Sequence, residues 1–270
     1  MSGTITENDP AKASSKEAAI PQMNINDILS TKYIFGYNGV LKNNIHFIAD
    51  EKSSHMSKLL YTVGHNLVFL HYEQRTEQVY IHGTEGTTGI TCLQLSPSKR
   101  YLAYAEEADF GLIYIYDLKA FSDKDRTEWK PKRKKCLCTY DSGATAYTHL
   151  SFSCKEETKY LASLTSEPSF KIIIWEWDKG KARASVEVNG FQNINQMFYH
   201  PTDDYIFVLG QGNNPIKTYI PKSEKSEIIL QNKPDLIKDV VRQFSNNFLS
   251  YCMLPGDAMI IGTEDGELLY

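Results

Sequence analysis

Three features of the amino-acid sequence predict an all-β fold. From Tyr33 onward, apolar runs of about five to seven residues, rich in Ile, Tyr, Phe, Val and Leu, are bounded by Gly, Asn, Asp, Ser or Pro, which is typical of strands. These runs lack the spacing of three and four that marks an amphipathic helix. The strand pattern also recurs at intervals of roughly 46 to 57 residues, near the period of a propeller blade. We therefore predict a β-propeller of about five four-stranded blades over residues 33–270.

The repeat that begins at Gly89 shows the scheme in full. GITCLQLSPSKRYLAYAEEADFGLIYIYDL contains an apolar strand, a Ser-Pro turn, a second strand, a polar turn and a third strand that ends at Tyr116-Asp117. Further copies open near Asn44, Thr148, Ile194 and Leu249. Each copy predicts one blade, because its runs are short, regularly spaced and separated by turn residues.

The stretch FKIIIWEWDKG, residues 170–180, raises the question of a catalytic acid beside an aromatic pocket. A continuous apolar run is typical of a strand that is buried on both faces, and its period of two sends Ile172 and Ile174 to one face and Ile173, Trp175 and Trp177 to the other. We predict that the next residue, the aspartate at 178, is a turn residue. The aspartate at 117 matches it in the repeat, and a structural residue tends to recur whereas a catalytic one need not.

The strand count leaves two ways to arrange the ring. YIFGY, residues 33–37, is predicted as an orphan strand, and the five copies supply the rest of twenty strands, which is enough for five blades if the orphan closes the last one. The alternative, which we expect, is an open arc that forms part of a larger propeller. That arrangement would leave apolar surface of Phe47, Leu60, Ile260 and Leu268 exposed. Residues 1–32 lack apolar periodicity and are predicted to be a disordered arm.

Composition excludes several classes of function. The chain has 270 residues, 41% of them hydrophobic, and its 29 basic and 33 acidic residues give a formal net charge of -4, so no global attraction to nucleic acid or membrane surfaces is expected. No run approaches the ~18 apolar residues of a membrane span, and the first residues lack the apolar core of a signal peptide. The five cysteines are an odd number, which favours a reducing compartment and free thiols. We expect a soluble, cytoplasmic protein without a membrane partner.

Motifs that would carry chemistry are weak. The glycines of HGTEGTTGI, residues 82–90, lie between two strands without a following helix or a GK[ST] sequence, so a phosphate loop is not predicted. Cys136 and Cys138 point the same way on a strand, but no second pair stands at zinc-site spacing, and we interpret them as core thiols. The seven histidines form no ligand motif, and no nucleophile elbow occurs. We predict no catalytic, cofactor-binding or metal-binding residues and no cofactor.

Two insertions are more informative. The sequence WKPKRKKC follows the third strand of the second repeat and is predicted to form a long connecting loop. Its basic residues are candidates for binding an acidic partner surface such as tubulin: Lys130, Lys132, Arg133, Lys134 and Lys135. A solvated loop, a nuclear-localisation signal and an RNA contact are the alternatives. In KPDLIKDVVRQFSNN, the spacing of the apolar residues predicts a short helix that caps the propeller rim or docks a partner.

Several stretches resemble a known family. SPSKRYLAYAEEADFGLIYIYDL, KYLASLTSEPSFKIIIWEWDKGKARASVEV and GTEDGELLY are similar to WD-repeat blades of the amino-terminal propeller of the cilia- and flagella-associated protein 57 family, although the usual Gly-His pair is missing. The resemblance covers roughly residues 33–270. It implies a WD-repeat scaffold in the axoneme of cilia and flagella, with inner dynein arm or regulatory complex components and tubulin as partners. The alternative function is a nucleic-acid-associated platform in RNA processing, and a propeller enzyme ranks third.

Overall fold

The computed structural model describes residues 32–48, 57–71, 78–118, 131–139, 143–154, 159–224, 227–232 and 245–270. Within these ranges, nineteen strands form five antiparallel sheets. The first sheet contains β1 (Ile45–Ile48), β2 (Lys58–Val63), β3 (Asn66–His71) and β4 (Gln78–His82). The second contains β5 (Gly89–Leu95), β6 (Tyr101–Glu107), β7 (Leu112–Asp117) and β8 (Lys132–Leu137).

The remaining three sheets follow the same order along the chain. The third contains β9 (Tyr147–Phe152), β10 (Tyr160–Thr165), β11 (Lys171–Glu176) and β12 (Lys181–Glu187). The fourth contains β13 (Asn193–Tyr199), β14 (Ile206–Gln211), β15 (Ile216–Glu224) and β16 (Glu227–Asn232). The fifth contains β17 (Phe248–Met253), β18 (Met259–Thr263) and β19 (Leu268–Leu269). Every strand pairs with the next one within its sheet, so the predicted arrangement of five propeller blades is confirmed.

Among the described residues, four apolar cores hold consecutive blades together. Each core combines side chains from the facing surfaces of two neighbouring sheets, as in the pair Phe69 and Tyr104 between the first and second blades. Leu209 and Phe248 belong to the core between the fourth and fifth blades. Burial on both faces explains why the middle strands are continuously apolar in sequence.

Strand β11 and the residue after it, Trp177, show this packing residue by residue. Ile172 and Ile174 lie in the core between the third and fourth blades. Ile173, Trp175 and Trp177 lie in the core between the second and third blades. The predicted alternation of the two faces is therefore confirmed, and the two tryptophans are 1% and 8% exposed.

The first strand of each sheet is the inner one, where neighbouring blades meet. The Cys92 thiol of β5 donates to the carbonyl of Tyr147 in β9 at 3.2 Å. The amide of Tyr199 in β13 donates to Ser151 Oγ in β9 at 2.9 Å. Polar contacts between inner strands thus supplement the apolar packing farther out.

The prediction of a strand at residues 33–37 is wrong. Residues 34–38 lie against the first sheet instead, where the Asn38 amide donates to the Thr62 carbonyl at 3.1 Å and the Ile34 amide donates to Gln78 Oε1 at 3.0 Å. Among the described residues, no main-chain hydrogen bond joins 34–37 to 266–270. Tyr37 and its neighbours therefore do not complete the fifth blade, and membership of a larger ring stays a prediction.

The predicted exposure of the two outermost blades is correct in part. Phe47 and Leu268 are 47% and 78% exposed. Leu60 is fully buried, because its side chain belongs to the core between the first two blades, and Ile260 is partly buried. The predicted arm at 1–32 lies outside the described residues, apart from Lys32, and so does the predicted helix within 233–247, apart from the non-helical residues 245–247.

Candidate functional site

The structure places four of the five predicted basic residues in a strand. Lys132, Arg133, Lys134 and Lys135 open β8, the outer strand of the second blade. The prediction of a loop is therefore wrong at these positions, because the chain pairs with β7 from Ile113 to Asp117. Lys130 lies outside the described residues. We call the four described residues the basic strand segment.

A β-bulge divides the basic strand segment. Arg133 pairs with Tyr116 and Lys135 with Ile115, so Lys134 is the extra residue of the bulge. Lys134 Nζ lies 3.4 Å from Asp117 Oδ2. A guanidinium nitrogen of Arg100 lies 3.6 Å from the same oxygen. The Lys134 side chain therefore compensates a carboxylate that is only 8% exposed.

The other basic side chains have different surroundings. The Arg133 guanidinium lies 5.8 Å from the ring centroid of Tyr114, within range of a cation–π interaction. Lys132 and Arg133 are exposed, and Lys135 is partly buried. Among the described residues, no carboxylate forms an ion pair with Lys132, Arg133 or Lys135.

The third blade contains an equivalent buried acid that is paired with basic side chains. In the sheet register Glu176 faces Tyr160 as Asp117 faces Tyr101, so Glu176 is the equivalent of Asp117. Our alignment of Asp117 with the aspartate at 178 is therefore wrong by two residues. Glu176 is 3% exposed and pairs with Lys179 and with Arg183, whose Nε donates to Oε2 at 2.6 Å.

Strand β12 shows which basic residues belong to the blade architecture. Arg183 lies at the bulge of β12, as Lys134 does in β8, and both pair with the buried acid of the preceding strand. The residues on either side are Ala182 and Ala184 in β12, where β8 has Arg133 and Lys135. Arg133 and Lys135 are therefore additional to the repeat, and they are the better candidates for a function of this blade.

The turn after β11 answers the question about a catalytic acid. Residues 177–180 form a turn in which the Gly180 amide donates to the Trp177 carbonyl at 3.1 Å, and Gly180 has a φ of 68°. Asp178 is exposed within this turn. The turn interpretation of Asp178 agrees with this geometry, since an exposed carboxylate has no enclosed site around it.

The thiols on and beside β8 differ from the prediction. Cys136 is exposed and Cys138 is partly buried, so neither is a core thiol. Partial burial and the neighbouring Cys138 raise the pKa of Cys136. Cys92 is the buried thiol, and burial raises its pKa to about 12. The described residues contain no group of three or more His, Cys, Asp or Glu side chains able to hold a metal ion.

A polar network at the inner strands was missed by sequence reasoning. Asn195 is the bulge residue of β13, and its Nδ2 donates to Asn247 Oδ1 at 2.8 Å and to the Phe248 carbonyl at 2.9 Å. Its own carbonyl accepts from His149 Nε2 at 2.9 Å. The available signal was the pair Asn195-Gln196 between the apolar residues Ile194 and Met197 of an inner strand, because buried amides require partners.

His149 is neutral in this network. A carbonyl oxygen only accepts, so Nε2 carries the proton, and Nδ1 accepts from Thr148 Oγ1 at 3.0 Å. Burial lowers the pKa of His149 to about 4, and the nearby Lys42 adds to this effect.

The segment before β1 reaches the same region. Lys42 Nζ donates to Asn195 Oδ1 at 2.9 Å, and Asn43 Nδ2 donates to Gln196 Oε1 at 2.9 Å. Both residues line a small cleft, together with residues of β5, β9, β13 and β17. The start of the first blade is thereby tied to the fourth.

These features define the class of protein as a WD-repeat-type β-propeller whose described strands build five blades. The chain resembles the cilia- and flagella-associated protein 57 family. Protein 57 A of Tetrahymena thermophila is 30% identical over 282 residues, which cover 89% of this chain and 21% of that protein. Cilia- and flagella-associated protein 57 of Mus musculus is 26% identical over 239 residues, covering 87% of this chain and 17% of that protein. The chain thus spans about a fifth of these relatives.

Solved structures support the fold. The β-propeller domain of Cps50 (Swd1) from Myceliophteria thermophila matches with a TM-score of 0.50 and 18% identity, covering 64% of this chain and 51% of that domain. At this identity the likeness concerns the fold alone. No protein-family model matches the chain. In the described ranges, no helix is long and apolar enough to span a membrane.

Proposed function

We propose that this protein is a non-catalytic WD-repeat scaffold of the axoneme, which supports the assembly or docking of inner dynein arms in cilia and flagella. The observation that carries the proposal is the similarity to proteins named cilia- and flagella-associated over 89% and 87% of the chain. A propeller with broad, rigid faces suits an interaction platform. Inner dynein arm components, regulatory complex components and tubulin are the proposed partners.

The basic strand segment is the proposed contact with an acidic partner surface. Lys132, Arg133 and Lys135 supply positive charge in a chain whose net charge is -4. Such local charge favours association with acidic surfaces and makes it sensitive to salt. Lys134 contributes less to this contact, because it also compensates Asp117.

Localisation tests the proposal directly. A fluorescently tagged chain expressed in a ciliated cell is expected along the axoneme, and it should remain with the axoneme after detergent removes the membrane. A uniform cytoplasmic or nuclear signal would contradict the axonemal assignment. Enrichment in RNA-containing particles would favour a nucleic-acid platform, which the same basic residues would also suit.

Co-sedimentation with isolated doublet microtubules tests the contact. Reversal of Lys132, Arg133 and Lys135 to Glu is expected to reduce binding, more at low than at high ionic strength. The matched control reverses the exposed Lys99, Lys181 and Lys222, which changes the net charge equally on other surfaces. Equal loss in both variants would show a general charge effect rather than a site.

A further inference from the structure

The outer edge of β8 suggests how the proposed scaffold could hold a partner, and this inference rests on the proposed function. We propose that the basic strand segment binds an extended acidic segment of a partner by strand addition, so that the partner becomes a fifth strand of the second blade. The partner's main chain would pair with β8, and its carboxylates would face the basic side chains.

The first observation is the position of β8 in its sheet. The strand order is β5-β6-β7-β8, so β8 pairs with β7 on one side, and its other edge pairs with no strand of the described ranges. An edge strand presents unpaired amide and carbonyl groups, which are a template for another strand. The outer strand β12 of the third blade is likewise the last strand of its sheet, but it lies against β16 of the neighbouring sheet.

The second observation is the charge of this edge. Three of the four residues in the basic strand segment are exposed, and two carboxylates of the neighbouring strands, Asp117 in β7 and Glu106 in β6, are both buried. Glu106 is held within the blade, where it accepts from the amide and hydroxyl groups of Thr84 and Thr87. The accessible part of the strand is therefore basic.

This charge also selects the occupant. Basic residues on an edge oppose pairing with a second copy of β8, because like charges would then face each other across the strands. An acidic strand would instead place opposite charges in cross-strand pairs. The same side chains thus discriminate against self-association and in favour of an acidic segment.

The third observation comes from the comparison between blades. Lys134 has the structural counterpart Arg183, but Arg133 and Lys135 stand where β12 has Ala182 and Ala184. Discouraging edge pairing is a general need of outer strands, yet the third blade has alanines here. The added charge of the second blade therefore exceeds what the shared ion pair requires.

The test uses a fluorescein-labelled peptide of alternating Glu and Val residues and the full chain. We expect saturable binding in fluorescence anisotropy, weakened about tenfold or more when Lys132, Arg133 and Lys135 are changed to Gln. The control variant carries Gln at Lys99, Lys181 and Lys222 and should retain binding. Absence of binding to the acidic peptide would overturn the inference.

Two measurements separate strand addition from attraction by charge. A peptide of the same sequence that is N-methylated at every residue cannot donate main-chain hydrogen bonds and is expected not to bind. Bound peptide should also slow maleimide modification of Cys136 on β8, whereas the exposed Cys252 on β17 serves as the internal reference. Equal binding of the N-methylated peptide, or an unprotected Cys136, would refute strand addition.

Failure of strand addition can be distinguished from failure of the proposed function. If the peptide result refutes strand addition while the triple charge reversal still reduces binding to doublet microtubules, the basic contact stands without a strand-like partner. A single-stranded oligonucleotide that binds β8 in place of the acidic peptide would overturn the inference in favour of nucleic acid.

Discussion

Glu176 of the third blade occupies the same strand position as Asp117 of the second. Each is the last residue of the third strand of its sheet, and each pairs with the basic residue at the bulge of the following strand. Both carboxylates are nearly inaccessible, at 3% and 8% exposure. A recurrent acid–base pair thus fixes the outer strand to the blade.

We expect Glu176→Gln to destabilise the protein at neutral pH. Hydrogen bonds from Lys179 and Arg183 lower the pKa of Glu176 below 4.5, although burial opposes them. The charged form therefore contributes stability above the unfolded pKa, and this contribution is lost as the pH falls through the folded pKa. Urea unfolding should show a wild-type advantage at pH 7 that shrinks below pH 4.5. The exposed Glu187→Gln is the control, and an advantage independent of pH would contradict the assignment.

Trp175→Ala should cost about 3 to 5 kcal/mol of unfolding free energy, because it empties a core position between two blades. The indole also donates to Ser163 Oγ at 2.8 Å, and Ser163 is fully buried. Trp175→Phe keeps most of the packing but removes this donor, so it should cost less. Chemical denaturation measures both, and a loss below about 1 kcal/mol for the alanine variant would contradict the packing described here.

The lowered pKa of His149 should make the stability of the protein depend on pH in mildly acidic solution. Its folded pKa of about 4 lies below the unfolded value of 6.5, so the unfolded chain binds the proton first. Stability should therefore decline as the pH falls from 6.5 to about 4, with little further change from this residue below that range. In His149→Gln the decline should be smaller over the same interval. Parallel curves for the two proteins would exclude His149 as the source.

We expect Lys134 to contribute mainly to stability and Arg133 mainly to binding. Lys134→Gln removes an exposed partner of Asp117 and should cost less than about 1 kcal/mol of stability. Arg133→Gln should leave stability nearly unchanged but weaken binding of the acidic peptide more than Lys134→Gln does. Thermal unfolding and fluorescence anisotropy on the same samples measure the two effects. Weaker peptide binding by Lys134→Gln than by Arg133→Gln would contradict the assignment of Arg133 to the binding surface.

Substitutions at Gly180 and Asp178 test whether the turn after β11 depends on its backbone conformation or on the aspartate side chain. Gly180→Ala should destabilise by about 1 kcal/mol, because its φ of 68° is unfavourable for a residue with Cβ, while no neighbouring atom would collide with the added carbon. Asp178→Asn should change stability by less than about 0.5 kcal/mol. Denaturation curves measure both variants. A large loss in Asp178→Asn would show an interaction that the turn geometry does not contain.

The repeating fold was predictable because its signals are local. The inner strands begin close to the positions expected from the repeats, and the alternation of Ile172, Ile173 and Trp175 follows from a period of two. The β8 strand was not recognised, because lysine and arginine are uncommon strand formers and the segment lacks apolar alternation. Its pairing with β7 overrides that weak local preference.

Contacts between distant residues were beyond sequence reasoning. Asn195 bonds groups from three other parts of the chain, and nothing in its neighbours specifies those partners. The equivalence of Glu176 and Asp117 required the sheet register, since acids at both 176 and 178 end the same apolar run. Local patterns identify the elements, whereas register and long-range polar bonds emerge only from packing.

The bond between Lys42 and Asn195 has a consequence for the timing of folding during synthesis. Its two residues are 153 positions apart, whereas each blade is built from strands that follow one another directly. At about 5 to 20 residues per second, a ribosome needs roughly 8 to 30 s to add this length. The first blade can thus form its hairpins early, yet Lys42 must wait for the fourth blade before it finds its acceptor. Chaperones that shield nascent chains would meet a partly assembled row of sheets throughout that interval.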